Sequence, residues 1–418
     1  MPAAKQLRSE CLQIINPALS FRISRRRLTF TNHSKQENRK TGKQEIMKHQ
    51  IILLGKDITS VYHGIKEFGP DHIHLLYTDE TKNIETPMYP LLPAAIRYSR
   101  YKAEPYDGNN VIDVCRRIHK EYQGEFAYNL SEGTKVMAFA AFIVAKETAS
   151  DAFYLTQHGE IVHLNTFEFH PLHSKLNNEE ILGLSGNILT QYHDAKELSI
   201  SEVKASLQIK QFIEQYPQEH SRIQKFFNIF CKRQLTRLPN SKLFANNLRF
   251  KQRNGSLLIS LGEYILLRLH QNYATMLYFE GRWWETLVAN EVRNWSEQRP
   301  QSPEVWQSVI FQTNERNPRT KNEIDVLLNN QQKLIFLECK SGNVTQNDIY
   351  KIDAVRETYG GDISQAVLVS YYPIEKSLRD KCKDLQIHLF APNYAGERSD
   401  FLKKMPAWLD KLADELQL

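Results

Sequence analysis

Apolar and polar positions between residues 47 and 165 alternate between the periods of strands and helices. The predicted strands are 50–54, 73–77, 126–129 and 152–155, and the predicted helices are 58–68, 111–122 and 136–146. Strands that alternate with crossover helices predict a mostly parallel, doubly wound sheet of the α/β class. Ligands of such sheets bind at the carboxyl ends of the strands.

The pattern changes twice beyond this segment. Residues 175 to 270 predict a mainly helical connecting region with apparent strands at 257–267, similar to a winged helix. From about residue 271 a second α/β unit follows. Its predicted helices are 281–295 and 347–358, and its predicted strands are 323–328, 334–340 and 366–370.

The net charge of +6 lies almost entirely near the start of the chain. Residues 1–46 carry ten Lys and Arg against three acidic residues, whereas the remaining 372 hold 44 basic and 45 acidic residues. A nucleic-acid site in the folded part would therefore be a local patch. We expect residues 1–46 to be a disordered or non-native leader with Met47 as the native start. The alternative is a basic arm that contacts nucleic acid.

Cysteine usage and hydropathy indicate the cellular compartment in which we expect the protein. The five cysteines are far apart, and no CxxC pair or Cys/His cluster has zinc spacing, so we expect a reducing cytoplasm. No apolar run is long enough to span a membrane. The first residues also lack the apolar core of a signal peptide, and we expect none.

Two apolar segments in the C-terminal unit, 322–328 and 333–340, flank a polar turn and predict a β-hairpin. Glu338 and Lys340 are two residues apart and share a face of their strand. If the turn closes over an even number of residues, Asp325 joins them on that face. The expected cross-strand pairs are Asp325 with Phe336 and Glu323 with Glu338.

Two carboxylates and one ammonium group on a single face suit phosphodiester chemistry. Asp325 and Glu338 offer the hard oxygen ligands that Mg²⁺ or Mn²⁺ prefers, and the Cys339 carbonyl is a candidate third ligand. Lys340 can hold the attacking water or neutralise developing charge. The alternative is a surface hairpin with an ordinary Glu/Lys pair.

This hairpin resembles that of the PD-(D/E)xK nuclease superfamily, which includes restriction-type endonucleases. The segment Gly281-Arg282-Trp283-Trp284-Glu285 resembles the start of that fold's first helix, which implies Glu285 as an additional metal ligand. The alternative is a helix packed through its tryptophans, with Glu285 in solvent. A loop before the Asp325 strand supplies candidate contacts to the nucleic-acid backbone, or is simply solvated. Its basic residues are Arg316, Arg319 and Lys321.

Two small polar loops follow strands in the N-terminal unit. Residues 129–135 connect a strand to a helix, where backbone N–H groups and the helix dipole favour an anion. Residues 55–60 have the same position after the first strand, and both loops lie on one edge of the sheet. The candidate ligand-binding residues are Thr59, Ser60, Ser131, Gly133, Thr134 and Lys135. Helix capping and a surface lysine are the alternatives.

The N-x-[ST]-x-G-T-K turn and the opening strand–loop–helix resemble the CARF domain (CRISPR-associated Rossmann fold). Glu132 departs from that pattern, because a second glycine is frequent there. A CARF domain joined to a PD-(D/E)xK domain resembles the cyclic-oligoadenylate-activated nucleases of type III CRISPR systems. The resemblance implies a homodimer with cyclic tetra-adenylate as activator, or less readily the hexa-adenylate.

We therefore expect a CARF domain at 47–170, a connecting domain at 171–270 and a nuclease domain at 271–418. The expected activity is metal-dependent cleavage of DNA or RNA, switched on by the ring. The alternatives are a constitutive restriction- or repair-type endonuclease and a non-catalytic nucleotide-sensing regulator. A CARF domain that also degrades its own ring is a third possibility that no residue requires.

Overall fold

The computed structural model describes residues 46–156, 159–186, 188–300, 302–312, 320–331, 333–360 and 364–416. Residues 46–418 belong to one compact unit by their internal contacts. The described residues form a mixed α/β fold with three sheets. In the described part of the chain, no helix has the length and apolar character needed to cross a bilayer.

The first sheet has seven strands in the order β3-β2-β1-β4-β5-β6-β7. The first five pair in parallel, and the last two are added antiparallel. Its strands are β1 (Lys48–Leu53), β2 (His72–Tyr77), β3 (Arg97–Lys102), β4 (Glu125–Asn129), β5 (Asp151–Leu155), β6 (Glu160–His163) and β7 (Glu168–Pro171). Its helices are α1 (Ile58–Phe68), α2 (Gly108–Glu121) and α3 (Lys135–Glu147).

The middle of the chain contributes helices and a small antiparallel sheet. The helices are α4 (Asn178–Leu184), α5 (Ile200–Gln215) and α6 (Pro217–Ile229). The four-stranded sheet is made of β9 (Ser241–Leu243), β10 (Leu248–Arg253), β11 (Ser256–Leu261) and β12 (Tyr264–Leu269). One further strand of this region, β8 (Ile188–Asp194), pairs with β13 of the C-terminal sheet instead.

The C-terminal sheet has six strands in the order β17-β16-β15-β14-β13-β8. Its strands after β8 are β13 (Glu304–Gln312), β14 (Thr320–Asn329), β15 (Leu334–Lys340), β16 (Gln365–Ser370) and β17 (Ile387–Phe390). The helices are α7 (Ala274–Phe279), α8 (Arg282–Glu297), α9 (Gln346–Tyr359), α10 (Lys376–Asp384), α11 (Arg398–Phe401) and α12 (Met405–Leu416). Apolar side chains of α8 pack on this sheet in a shared core.

A second apolar core joins the two large sheets. Ile65 of α1, Ile181 of α4 and Phe336 of β15 all belong to it and are buried. Two backbone-directed hydrogen bonds reinforce the junction. Leu176 N–H donates to the Gln331 carbonyl at 3.1 Å, and Asn329 Nδ2 donates to the Leu176 carbonyl at 2.8 Å. The sheet that carries the candidate ligand loops is therefore packed, through α4, against the hairpin that carries the candidate catalytic residues.

Candidate functional site

The C-terminal site lies at the end of the β14–β15 hairpin that is far from its loop, directly after the last paired residues, Val326 and Leu337. Asp325 and Glu338 are 9% and 5% exposed, so both carboxyl groups are withdrawn from bulk water. Cys339 N–H donates to Asp325 Oδ2 at 2.6 Å, which binds the two strands together at this point. Lys340 Nζ lies 2.7 Å from Glu338 Oε1. The structure therefore brings the three predicted residues onto one face.

The register of this hairpin differs from the expected one by two residues. The observed pairs run from Asn329 with Leu334 to Val326 with Leu337, which places Asp325 beside Glu338 instead of Phe336. The loop has the expected length but begins one residue later, at Asn330, and asparagine side chains stabilise it there. Asn330 Oδ1 accepts from Lys333 N–H at 2.7 Å, and Asn329 Oδ1 accepts from Gln331 N–H at 2.7 Å. A shift of two residues keeps every side chain on its face.

Helix α8 brings Glu285 to the same space. Trp283 and Trp284 are almost fully buried, and Trp284 Nε1 donates to the Val369 carbonyl at 3.3 Å. Gly281 precedes the helix at a φ of 84°, and a Cβ there would lie 2.3 Å from Ser341 Oγ. The tryptophans thus pack the helix onto the sheet, which is one part of the alternative that placed Glu285 in solvent. Glu285, however, is half-buried and interacts electrostatically with Glu338 and Lys340.

Each carboxyl group of this cluster makes it less favourable for its neighbours to ionise. Burial, with further contributions from Glu323 and Glu338, raises the pKa of Glu285 to about 7. Burial and the charges of Glu285 and Glu338 raise the pKa of Asp325 well above its usual range. Burial opposes the charged form of Lys340, but Glu338 and Asp348 outweigh it and raise its pKa. A compact set of crowded carboxyl groups is the electrostatic environment that a divalent cation relieves.

Two further charged residues of this site were not among the predicted ones. Asp348 lies 3.1 Å from Lys340 Nζ, and Lys351 Nζ lies 3.1 Å from Glu338 Oε1. Both come from the first turns of α9. Thr345 N–H donates to Asp348 Oδ2 at 2.8 Å and thereby fixes the start of that helix. The sequence feature that could have indicated these contacts is the break at Ser341-Gly342. It ends β15 and lets the next helix, α9, return to Lys340.

A polar cleft of about 910 Å³ opens beside Lys340. One wall contains Lys340, Gly342 and Asp348, and the other comes from α6 and the residues after it. The latter supply amide and basic side chains, which are Gln224, Lys225, Asn228 and Arg233. The cleft therefore lies between the middle region and the C-terminal site, which the sequence did not predict.

The predicted phosphate-binding loop lies only in part within the described residues. Arg316 and Arg319 lie outside the described residues. Lys321 was expected in the loop, but its backbone belongs to β14, which begins at Thr320. The strand starts earlier than its apolar stretch because Asn322 and Thr320 pair with β13. The side chain of Lys321 lies outside the described part.

The second site lies between β4 and α3. Gly133 adopts a φ of 82°, and a Cβ there would lie 3.0 Å from the Leu53 Cβ, so this position requires glycine. Thr134 caps α3 by accepting from Met137 N–H at 3.1 Å. The Ser131 hydroxyl donates to Asn129 Oδ1 and accepts from Leu155 N–H at 3.0 Å. Both candidate hydroxyls of this loop, those of Ser131 and Thr134, therefore have local structural roles, of the kind that the capping alternative gave for Thr59 and Ser60.

Glu132 links this loop to the loop after β1. Its Oε1 accepts from the Ser60 hydroxyl at 3.2 Å, and a Cβ on Gly55 would lie 2.0 Å from its Oε2. Burial, followed by the charge of Asp57, raises the pKa of Glu132 to about 7. The cap of α1 is Asp57, whose Oδ1 accepts from Thr59 N–H at 2.8 Å. The residue that departs from the expected pattern thus occupies the junction of the two loops.

A pocket of about 510 Å³ lies over the β4–α3 loop. Four of the six predicted ligand residues line it, namely Ser131, Gly133, Thr134 and Lys135. Thr59 and Ser60 are not part of its lining. The same lining includes four aromatic residues, which are Phe139, Phe142, Tyr154 and Phe167. Such a pocket offers N–H and ammonium groups to phosphates and flat apolar surfaces to bases.

Comparison with known proteins identifies the C-terminal part of the chain. Residues 271–408 match the family described as "Card1-like, endonuclease domain". The C-terminal region carries a Card1-like endonuclease domain. No curated protein sequence matches the chain significantly.

Three solved structures share the fold over most of the chain. Can2 from Sulfobacillus thermosulfidooxidans, solved with cyclic tetra-adenylate, has a TM-score of 0.66 at 19% identity, covering 87% of this chain and 98% of its own. Protein VC1899 from Vibrio cholerae has 0.67 at 17%, with the same coverage. A type III CRISPR defence DNA nuclease activated by cyclic oligoadenylate has 0.50 at 14%, covering 79% and 47%. The expected resemblance to such nucleases is confirmed at the level of fold.

Proposed function

We propose that this protein is a metal-dependent endonuclease that hydrolyses phosphodiesters in DNA or RNA, and that cyclic tetra-adenylate activates it in type III CRISPR defence. The observation that carries the proposal is the convergence of Asp325, Glu338 and Lys340, with Glu285 beside them, in a Card1-like endonuclease domain. We propose the expected domain boundaries, 47–170, 171–270 and 271–418, with them.

The donor set suits a hard divalent cation. Asp325, Glu338 and Glu285 would hold Mg²⁺ or Mn²⁺, together with the Cys339 carbonyl, and the ion would acidify a bound water and neutralise charge on the phosphate. Lys340 would donate to the attacking water or to a phosphate oxygen. The Cys339 N–H that binds Asp325 Oδ2 leaves the other oxygen of that carboxylate as the available donor.

The polar cleft is the proposed path of the nucleic acid. Lys225 and Arg233 line it opposite Lys340, at a position where they would contact phosphates on either side of the scissile bond. Arg316, Arg319 and Lys321 would extend this backbone contact. Phosphate contacts of this kind position a strand without selecting its sequence. We therefore expect cleavage with little base preference.

The pocket over the β4–α3 loop is the proposed activator site. Ser131, Gly133, Thr134 and Lys135 would contact the ring from one side, with Thr59 and Ser60 supporting the neighbouring loop. Can2 was solved in complex with cyclic tetra-adenylate, which supports this ring size. A ring with two-fold symmetry suits a homodimer in which both subunits present the same pocket.

An exposed apolar stripe supports the homodimer. Val136, Phe139 and Ile143 follow one another at helical spacing on α3 and are 38%, 72% and 48% exposed. Phe167, at 70% exposure, lies in the same pocket wall as Phe139. Exposed apolar groups that adjoin a pocket are typical of interaction surfaces. We propose that this stripe is the contact between subunits.

The direct test is cleavage of labelled single- and double-stranded DNA and RNA, with and without Mn²⁺ or Mg²⁺ and with and without cyclic tetra-adenylate. We expect at least one substrate to be cut only when metal and ring are both present. The Glu338→Gln variant should be inactive, whereas Glu297→Gln, at a half-exposed position at the end of α8, should cut like the wild type. Cleavage by Glu338→Gln at the wild-type rate would show that the site lies elsewhere.

A further inference from the structure

Three buried histidines lie on one face of the first sheet, near the start of its strands. His72 and His74 alternate along β2 and therefore point to the same side, and His49 of β1 is paired with His72. The exposed fraction is 2% for His49, 5% for His72 and 0% for His74. The proposed activator pocket is at the carboxyl ends of the strands, so this cluster is a separate feature.

The ring nitrogens of the cluster converge. Each histidine offers one nitrogen, and these three atoms lie within 4.8 Å of one another. His49 Nδ1 and His74 Nε2 are 3.0 Å apart. Nitrogen ligands at about 2.0–2.1 Å from a tetrahedral Zn²⁺ lie roughly 3.3 Å from one another. Small rotations of the rings would therefore bring the three nitrogens to that spacing.

The outer nitrogens have the partners that metal-bound histidines usually have. His49 Nε2 lies 3.3 Å from the Gln123 carbonyl, and His72 Nε2 lies 2.9 Å from Ser99 Oγ. Such contacts fix the tautomer and orient a ligating ring. His74 Nδ1 is different, because it is buried and has no hydrogen-bond partner among the described residues.

The surroundings keep the rings neutral, which is the form that binds metals. Burial lowers the pKa of all three, and that of His74 falls to about 3 with the help of His72, His49 and His119. The rings of Tyr122 and Phe126 close the space around them. The remaining charged groups that act on the cluster are Asp71 and Arg97 at its margin.

We propose that His49, His72 and His74 bind a transition-metal ion of the imidazole-preferring class, with Zn²⁺ as the expected ion. Neutral imidazole nitrogens select Zn²⁺, Cu²⁺ or Ni²⁺ over Mg²⁺ and Mn²⁺, so this site and the carboxylate site bind different metals. The ion cross-links β1 and β2 beneath α2 and stabilises the sheet that carries the activator pocket. Zinc motifs in sequences are read from short spacings, which explains why ligands from two separate strands were not predicted.

The test is the metal content of the full-length Asp325→Asn/Glu338→Gln protein, in which the carboxylate site is disabled. We expect one zinc ion per chain after exhaustive dialysis, and a lower melting temperature after treatment with 1,10-phenanthroline that Zn²⁺ alone restores. His74→Asn in this background should bind added Zn²⁺ at least about tenfold more weakly. The matched control is His170→Asn, an exposed histidine of β7 in the same sheet, which should retain the ion.

Stoichiometric copper or nickel would support the site with another ion of the same class. Absence of any transition metal, together with no effect of Zn²⁺ or chelator on the melting temperature, would overturn the proposal. Equal zinc content in His74→Asn and His170→Asn would overturn it too. If His74→Asn does not fold, the chelation experiment on the parent protein still decides. Because the catalytic carboxylates are removed, failure of the proposed nuclease function would not affect these outcomes.

Discussion

Two lysines contact the same oxygen of Glu338, yet we expect them to matter differently. Lys340 is on β15, is 24% exposed and is held by Asp348, whereas Lys351 is 43% exposed and reaches in from α9. Lys340→Met should lower kcat on the order of 100-fold, because the donor at the reacting phosphate is lost, without weakening Mn²⁺ binding. Lys351→Met should change kcat only severalfold. Single-turnover cleavage measures both, and equal losses in the two variants would contradict the role of Lys340.

The raised pKa of Glu285 predicts how pH affects metal binding. Protons compete with Mn²⁺ for this carboxyl group, so affinity should fall as the pH drops through about 7. Glu285→Gln should bind Mn²⁺ more weakly and flatten the pH dependence. Calorimetric titration between about pH 5.5 and 8.5 measures this. A wild-type affinity that does not change over that range would show that Glu285 is not a ligand.

The same group predicts the opposite trend for stability without metal. Its folded-state pKa is raised from the ordinary glutamate value of 4.5 to about 7. It therefore contributes stability that is fully present below about pH 4.5 and is lost as the pH rises through 7. Metal-free wild type should lose stability over this window relative to Glu285→Gln, and Mn²⁺ should restore it. Parallel unfolding curves for the two proteins would contradict this assignment.

At the scale of elements, periodicity predicted some segments to the residue and missed others for physical reasons. Residues 58–68 and 334–340 are α1 and β15, as expected. The edge strand β3 was missed because its sequence is polar, RYSRYK, and it pairs on one side only. The strand β13 was missed because Ser308 has a φ of 49° within it, and the pairing shifts there, which breaks the alternation.

Candidate site residues were predictable where a strand or turn fixed them. Asp325, Glu338 and Lys340 were predicted to converge because side chains alternate between the two faces of a strand. The prediction therefore holds if the pairing register is correct to within an even number of residues. Asp348 and Lys351 were not predictable, because their approach depends on where α9 packs. The cleft beside α6 likewise results from tertiary packing of a segment whose own pattern is weak. The contacts of Glu132 with Ser60 depend on two loops that are 72 residues apart.

The loop element that carries Glu132 predicts a pH-dependent activator affinity. Its carboxyl group has a pKa raised to about 7 and lines the proposed ring pocket, so it becomes negative as the pH rises through that value. Affinity for cyclic tetra-adenylate should therefore fall above about pH 7, because the ring is anionic. Glu132→Gln should remove this dependence and bind several-fold more tightly at alkaline pH.

Fluorescence anisotropy with labelled cyclic tetra-adenylate measures this effect. Glu125→Gln is the control, since Glu125 is exposed at the opposite end of β4. Its affinity should follow the wild-type pH profile. An unchanged profile in Glu132→Gln would mean that this carboxyl group does not face the ring.

At the scale of the whole molecule, α1 and α4 connect the activator loops with the nuclease hairpin. Lys66 Nζ of α1 lies 2.8 Å from Glu180 of α4, and Leu176 before α4 bonds to the hairpin loop. Lys66→Met should reduce the ratio of activated to basal rate several-fold, because the ion pair that joins α1 to α4 is lost. Arg116→Met removes a comparable pair with Glu147 inside the first sheet's helices and should leave the ratio unchanged. Equal ratios in both variants would exclude coupling through this contact.

The apolar stripe on α3 predicts how two whole molecules associate. Phe139→Asp places a charge in the centre of the apolar stripe on α3, so the protein should become monomeric and lose activation by the ring. Light scattering during gel filtration measures the mass. Tyr264→Asp, at a site 79% exposed on β12, should leave the dimer intact. A dimeric Phe139→Asp protein would place the subunit contact elsewhere.

Cyclic tetra-adenylate bound at the first sheet should control cleavage at the C-terminal site, and a comparison of two rates tests this coupling. The measurement is the initial rate of cleavage by the same preparation at saturating Mn²⁺, with and without saturating cyclic tetra-adenylate. We expect the ring to raise the rate by at least about 100-fold, which requires that the ring prefer the active state by the same factor. Equal rates with and without the ring would rule out activation by the ring and indicate a constitutive endonuclease.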